Sequence, residues 1–475
     1  MSEVLTPDIC VIGAGAGGLS AAAAAAAFGV SVVLVEKDKM GGQHLNTGCV
    51  PSKALLAAAK HAEDLRQAAA FGLTVTRTKV DFDKLRDHVH GVIAAIAPND
   101  SVERFGGLGV RVIAGTARFK DHGTVAVGDD VEIKARRFVI ATGSSPAIPP
   151  IEGLADTPYL INETVFGLGS CPKHLIVIGA GATGLELAQA FRRLGAEVTV
   201  LEAAQPLAKD DPECAAIVLE QLEREGVMIR AGIEIVRAKR ARSKVQLFLR
   251  ATDGEEQIEG SHLLIAAGRT PNIEELDLDV AGIKYEPRGI VVDAGLKTTN
   301  KKVYAIGDVA GGLCFTHVAN HHATRIIRNA LFRLSARVKS NEIPRVTYTD
   351  PELAHVGLTE AEAGQRRRSI RVLRWPYREN DRAQAERETK GHIKVITTKR
   401  GKILGATIVG ARAGELITTW TLAVSQRMNV RAVADLVVPY PTLGEIGKRA
   451  AVGYFAPGLT GPWVRRIIAV LRLLG

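Results

Sequence analysis

Two stretches of this 475-residue chain repeat one another, and the repeat fixes most of what it can fold into. Residues 10–36 read CVIGAGAGGLSAAAAAAAFGVSVVLVE, and residues 176–202 read IVIGAGATGLELAQAFRRLGAEVTVLE. They align without a gap, each position recurring 166 residues later, as Gly13 does at Gly179. Each copy is a short β-branched strand, a glycine turn, an alanine-rich helix and a second apolar strand ending in glutamate. Gly13, Gly15 and Gly18 in the first copy match Gly179, Gly181 and Gly184 in the second. In such a turn the first glycine allows the tight bend and the second lets backbone approach a pyrophosphate. The third lets helix pack close to strand. Free N–H groups at the helix start then face the phosphate charge. One glycine turn would be weak evidence; two, each followed at the same interval by a glutamate, predict two dinucleotide sites. Glu36 and Glu202 end their strands where a carboxylate can accept hydrogen bonds from a ribose diol. At the second site Glu202 would repel a 2′-phosphate, which favours NADH over NADPH.

The length predicts several domains with ample core, and 46% hydrophobic with 24% charged residues fits a soluble α/β protein. The alanine run Ala21–Ala27 follows the glycine turn and belongs to a helix, not to a signal peptide. No apolar run is long enough to span a bilayer. Five cysteines, Cys10, Cys49, Cys171, Cys214 and Cys314, lack paired spacing, which suits unpaired thiols in a reducing cytoplasm. The net charge is +10. The clusters Arg366–Arg368 and Arg237–Lys244 have no interleaved aromatics and read as solvated faces, with no nucleic-acid partner expected.

The segment Gly41-Gly42-Gln43-His44-Leu45-Asn46-Thr47-Gly48-Cys49-Val50-Pro51-Ser52-Lys53 resembles the active-site stretch of the flavin-dependent pyridine nucleotide–disulfide oxidoreductases. Dihydrolipoamide dehydrogenase and mercuric reductase are members. The family carries two cysteines that flank four residues and form a redox disulfide beside the flavin. Here Cys49 keeps the second position and His44 occupies the first, so the disulfide relay is expected to be missing.

The resemblance covers nearly the whole chain and implies an α/β fold: two Rossmann-like domains, for FAD and NAD, and a C-terminal α+β dimerisation domain. The expected limits are 1–150 and 276–342 for the FAD domain and 151–275 for the NAD(P)H domain. The interface domain would span 343–457, and an amphipathic tail 458–475. The first repeat goes to FAD, with Lys37, Gly42 and Gly48 beside Gly13, Gly15, Gly18 and Glu36. The strand ending in Ala141-Thr142-Gly143 would close the first FAD half. The motif around Gly307-Asp308 would bring Asp308 to the ribityl chain, with His317 on the following helix. His317 and His321 share a face, but no further ligand completes a metal site, so polar lining of the flavin pocket is expected. Gly179, Gly181, Gly184 and Glu202 go to NAD, with Gly268 and Arg269 at the exit from that domain.

At the redox centre the resemblance implies Cys49 against the flavin and Lys53 paired with Glu186. A thiolate at Cys49 would gain from the start of the helix at Pro51-Ser52-Lys53. His44 either fills the vacated space or pairs with Cys49 to lower its pKa. Near the C-terminus, disulfide reductases carry a His-Pro-Thr base with a following glutamate. Here Tyr440-Pro441-Thr442 replaces it, and Glu445 remains. Tyrosine, with a pKa near 10, is a poor base at neutral pH. Mercuric reductases share that tyrosine but add a cysteine pair in the tail, and the last cysteine here is Cys314. In the tail, Arg465, Arg466 and Arg472 cluster on one side of a helical wheel. Trp463, Ile467, Ile468, Val470, Leu471 and Leu474 cover much of the rest, suiting either packing on the dimer or a peripheral membrane contact.

These features predict a homodimeric, cytoplasmic FAD enzyme taking hydride from NADH. The acceptor would be a quinone, metal ion or other small non-disulfide molecule. Three alternatives stay open: a peroxide or small-disulfide reductase working through Cys49, a nicotinamide transhydrogenase, and a flavin-binding redox sensor without turnover.

Overall fold

Unbroken apolar runs such as Ile9–Ile12 and Val32–Glu36 can be strands only if both faces are covered, and both are. The structure, a computed structural model, describes residues 3–76, 79–242, 244–251, 254–366, 369–456 and 461–473. Ile9–Ile12 lies at the centre of a five-stranded parallel sheet, between Val32–Glu36 and Arg137–Ile140, with Val110–Ala114 and Val303–Ala305 at the edges. On one face the helices Ala16–Ala27 and Thr316–Ala330 pack through Ala21, Ala22, Ala25, Ala323 and Ile326. Alanine is needed there because two helices and a sheet meet closely. The other face is covered by a second sheet, Glu3–Leu5, Val131–Ile133, Thr124–Val127 and Ala117–Asp121, with Phe119 and Phe138 edge to face at 5.6 Å. Cys10 is sealed in this layer, where burial pushes its thiol pKa up.

The second repeat builds the same unit. His174–Ile178 runs parallel between Glu197–Glu202 and His262–Ile265. An antiparallel sheet of Glu234–Ala241, Lys244–Ala251 and Gly254–Gly260 packs against it through Leu247, Leu249 and Leu263. The short strands Ser144–Pro146 and Arg269–Pro271 pair antiparallel. From Arg345 the pattern becomes an antiparallel sheet in the order Arg345–Thr347, Glu352–Gly357, Ile403–Gly410, His392–Thr398, Ile370–Pro376. The helices Ala413–Ser425 and Glu445–Gly453 contribute Trp420 and Ile446 to its core.

The chain forms two compact units that cut across the expected domains. One holds 1–179, 190–201 and 233–340; the other holds 180–189, 202–232 and 341–475. The helix Pro212–Arg224 groups with the antiparallel sheet in the second unit. Asp211 caps that helix and also holds Lys394 at 2.8 Å, both side chains nearly inaccessible.

One basic cluster is held at its two ends, and the other lies partly outside the described residues. Arg237 stacks on Phe248 at 4.1 Å and Lys244 meets Glu259 at 2.9 Å, while Arg367 and Arg368 are not described. The expected break at Pro457-Gly458-Leu459-Thr460 also lies outside the described residues, as does Leu474. Between them Pro462–Leu471 is helical with no buried residue. No helix among the described residues is long and apolar enough to cross a membrane.

Candidate active site

The glycines of the first repeat serve different masters. Gly13 has φ +101°, and a Cβ there would sit 2.5 Å from the Ala141 carbonyl oxygen. A Cβ at Gly18 would lie 1.8 Å from the Gly13 carbonyl oxygen. Protein packing demands both. A Cβ at Gly15 meets nothing within 4 Å, so packing does not explain that glycine. Gly15 is also the N-cap of Ala16–Ala27 and offers no side-chain cap, so the helix start is left open to an anion. The open space and uncapped N–H groups fit a dinucleotide pyrophosphate. Gly42 lies against Gly15, its notional Cβ 2.7 Å from the Gly15 Cα, so the redox segment begins beside the phosphate turn.

The second repeat shows the same division. Gly179 has φ +107° with the Ala266 carbonyl oxygen 2.4 Å from a notional Cβ, and Gly181 faces open space. Gly184 is buried within Ala182–Leu194. The two glutamates are held alike. Glu36 accepts from the N–H groups of Ala14 and Asp38, and Glu202 from those of Ala180 and Ala204 at 2.8 and 2.9 Å. Each carboxylate is thus fixed at its glycine turn with acceptor capacity remaining for a ribose diol.

Cys49 is the first residue of the helix Cys49–Gln67, two residues earlier than expected, and is exposed. Its sulfur lies 3.2 Å from the Thr316 hydroxyl at the start of Thr316–Ala330. Two helix N-termini therefore converge on this thiol. His44, in the short helix Gly42–Asn46, is turned elsewhere: its Nε2 lies 3.4 Å from the Asp100 carboxylate. Its Nδ1 is buried without a hydrogen-bond partner among the described residues. The Cys49–His44 pair is thus corrected to two separate contacts. Burial pushes the His44 pKa below its usual value despite the pull of Asp100, so the ring is neutral at pH 7 and offers a thiolate no charge.

The Thr142-Gly143 and Gly307-Asp308 turns share one network. Ser144 donates to Asp308 at 2.6 Å and accepts from Arg269 Nε at 2.7 Å, and Arg269 stands 3.6 Å from Asp308. Arg269, expected at the nicotinamide, instead clamps the Gly307-Asp308 turn, because its strand pairs with Ser144–Pro146. Asn272 exchanges hydrogen bonds with Thr142 and its N–H donates to the Gly143 carbonyl, while the Gly268 carbonyl accepts from Ala147. Lys37 pairs with Glu275, and Gly48 caps Cys49–Gln67. His317 stacks on Phe315 at 5.2 Å. His322, deeper on that helix, accepts from the Gly307 N–H at 3.2 Å, and burial brings its pKa down to about 4. It is a support for the turn rather than pocket lining.

Lys53 donates to Ser52 at 3.3 Å. Glu186 is buried on Ala182–Leu194 and accepts from the Tyr348 N–H at 2.8 Å. Lys53 and Glu186 belong to different compact units. Tyr440 is 69% exposed and donates to Asp381 at 2.8 Å, which raises its pKa further from neutrality. Glu445 reaches Arg449 at 4.0 Å. Asp100, Ser144 and Asp381 escaped the sequence reading, which named Thr316 only as a helix start and Asn272 only as the end of the Gly268-Arg269 motif. Ser144, adjoining Thr142-Gly143, sat beside a motif that could have flagged it.

Two glycine turns with fixed glutamates, a thiol at two helix starts and an antiparallel C-terminal domain define an α/β protein whose turns fit dinucleotides. Residues 7–323 match the family described as pyridine nucleotide-disulphide oxidoreductase, and residues 343–451 match its dimerisation domain. The chain belongs to this family of FAD-dependent oxidoreductases that use pyridine nucleotides. It is 36% identical over 454 residues to a mercuric reductase of Streptomyces lividans, covering 94% of this chain and 95% of that protein. A dihydrolipoyl dehydrogenase of Thermus scotoductus is 36% identical over 447 residues, covering 93% and 95%. Among solved structures, LpdA of Mycobacterium tuberculosis superposes with a TM-score of 0.86 at 28% identity, covering 94% of this chain and 99% of that one. The HOCl-induced flavoprotein disulfide reductase RclA of Escherichia coli gives 0.84 at 27%, with 94% and 99% covered.

Proposed function

We propose that this protein is an FAD-dependent NADH oxidoreductase whose electrons go to a small acceptor, a quinone or metal ion, and not through a disulfide. The observation that carries the reading is His44 at the first redox position, turned to Asp100, while Cys49 is a free thiol that meets the Thr316 hydroxyl. FAD, when bound, supplies the redox chemistry between NADH and acceptor. The chain's own residues do the rest. Gly13, Gly15, Gly18 and Glu36 would hold FAD, and Gly179, Gly181, Gly184 and Glu202 would hold NADH. Glu202 supports NADH over NADPH, since a 2′-phosphate would meet a carboxylate that two backbone N–H groups hold in place. Ser144 and Arg269 fix Asp308 at the flavin side.

Tyr440 supports the same reading. Bonded to Asp381 and raised in pKa, it is no substitute for the histidine base that thiol–disulfide interchange uses. Domain limits near 150, 275 and 343 and a homodimer in the cytoplasm complete the proposal. The exposed Leu422, Val437 and Tyr440 in the dimerisation domain support self-association.

The test is anaerobic titration of the purified holoenzyme with NADH, followed by an acceptor screen. Storage of two reducing equivalents per site and turnover with quinones or metal ions are expected. Four equivalents would defeat the proposal, as would a flavin that NADH leaves oxidised.

A further inference from the structure

The helix Pro462–Leu471 carries none of the residues assigned to the flavin and nicotinamide sites. None of its residues is buried. Trp463 is 74% exposed, and Ile467, Ile468, Val470 and Leu471 are each at least half exposed. A monomeric surface rarely shows so many large apolar side chains on so short a segment without an occupant.

The charge around the helix says what kind of occupant fits. No aspartate or glutamate follows Glu445, whereas Lys448, Arg449, Arg465, Arg466 and Arg472 do. The root of the tail is cationic too: Arg371 lies over Tyr454 at 4.2 Å and Arg431 over Phe455 at 5.1 Å. On the helix Arg466 lies 5.9 Å from the Trp463 ring. At 100° per residue Trp463, Ile467, Val470 and Leu471 fall on one face, Arg465 and Arg472 lie opposite it, and Arg466 flanks it beside Trp463. Aromatic and branched side chains below, with arginines able to reach up to headgroups, are what an interfacial helix needs. A second copy of the chain would oppose cation to cation here, and the matched dimerisation domain ends at residue 451, before the helix begins.

We propose that Pro462–Leu471 docks this protein in-plane on an anionic phospholipid surface. Trp463, Ile467, Val470 and Leu471 enter the acyl boundary and Arg465, Arg466 and Arg472 face phosphate headgroups. The docking is independent of which acceptor takes the electrons.

The FAD-loaded full chain should co-float with phosphatidylcholine vesicles containing phosphatidylglycerol, and much less with phosphatidylcholine alone. Raised ionic strength should weaken the association. Each arginine withdrawn should cost about fivefold in affinity, so R465Q/R466Q/R472Q should lose on the order of a hundredfold. W463S/I467S should abolish flotation while leaving NADH oxidation by a water-soluble acceptor unchanged, which shows that the variant is folded. Wild-type and W463S/I467S protein floating equally would overturn the proposal, as would no flotation with the anionic vesicles. So would conversion of a dimer to monomer by W463S/I467S in sedimentation velocity, which would assign the face to a second copy. These readouts are of binding, so they stand apart from the NADH titration.

Discussion

An imidazole at position 44 differs from a thiol in more than its failure to bridge. His44 is half-buried and neutral at pH 7, with Asp100 on one side and an unsatisfied Nδ1 on the other. Cys49 stands at the start of its own helix beside the Thr316 hydroxyl at the start of another. If electrons bypass sulfur, Cys49→Ser should lower kcat/KM for a quinone acceptor by less than about fivefold, roughly 1 kcal/mol. A loss of several orders of magnitude would move the chemistry onto the thiol. Two other histidines make a pH prediction. His322 and His355 are buried with pKa values near 4, below the usual 6.5. Between those values the unfolded chain binds more protons than the folded one. Their stabilising contribution is complete above pH 6.5 and drains away as pH falls toward 4, by about 1.4 kcal/mol per pH unit for each histidine. Denaturation midpoints measured from pH 7.5 down to 4.5 should fall accordingly, and His322→Gln should flatten the decline.

Within a strand–turn–helix element, the three glycines separate fold from function. Gly18→Ala would drive a methyl into the Gly13 carbonyl, whereas Gly15→Ala would project one into open space. Gly18→Ala should therefore lower Tm sharply or abolish folding. Gly15→Ala should keep Tm of the FAD-free protein within a few degrees yet lose FAD on dialysis. Equal losses of Tm would show that the middle glycine serves packing after all. At the second turn, Glu202→Ala should raise KM for NADH by about tenfold or more and narrow the preference over NADPH. Unchanged steady-state constants for both nucleotides would remove Glu202 from the ribose. Why such elements are readable in the sequence is clear from these contacts. The constraint on Gly18 comes from the Gly13 carbonyl of the same turn, and the strand–helix period is local, although Gly13 itself answers to Ala141 at the end of the neighbouring strand.

Across the whole molecule, the buried ammonium of Lys394 stands at 2.8, 2.9 and 2.7 Å from Asp211, Glu213 and Glu360. Burial opposes its charge, but the hydrogen bonds to these carboxylates outweigh burial and push its pKa up. Lys394→Met would leave Asp211 buried and unpaired, so a loss of about 3–5 kcal/mol is expected from chemical denaturation. Asp211→Asn added to it should restore part. Nothing in the sequence marks Asp211 and Lys394, 183 residues apart, as partners. Separation in sequence likewise hid Asp100 from His44, Asp381 from Tyr440 and Arg269 from Asp308. By itself the sequence determined two nucleotide turns, their glutamates, the absent first cysteine and the tail's amphipathic face, since each is written within one element's length. Tertiary structure alone decided which charges meet: a side chain's partner depends on how distant strands pair, and pairing is a property of the packed whole.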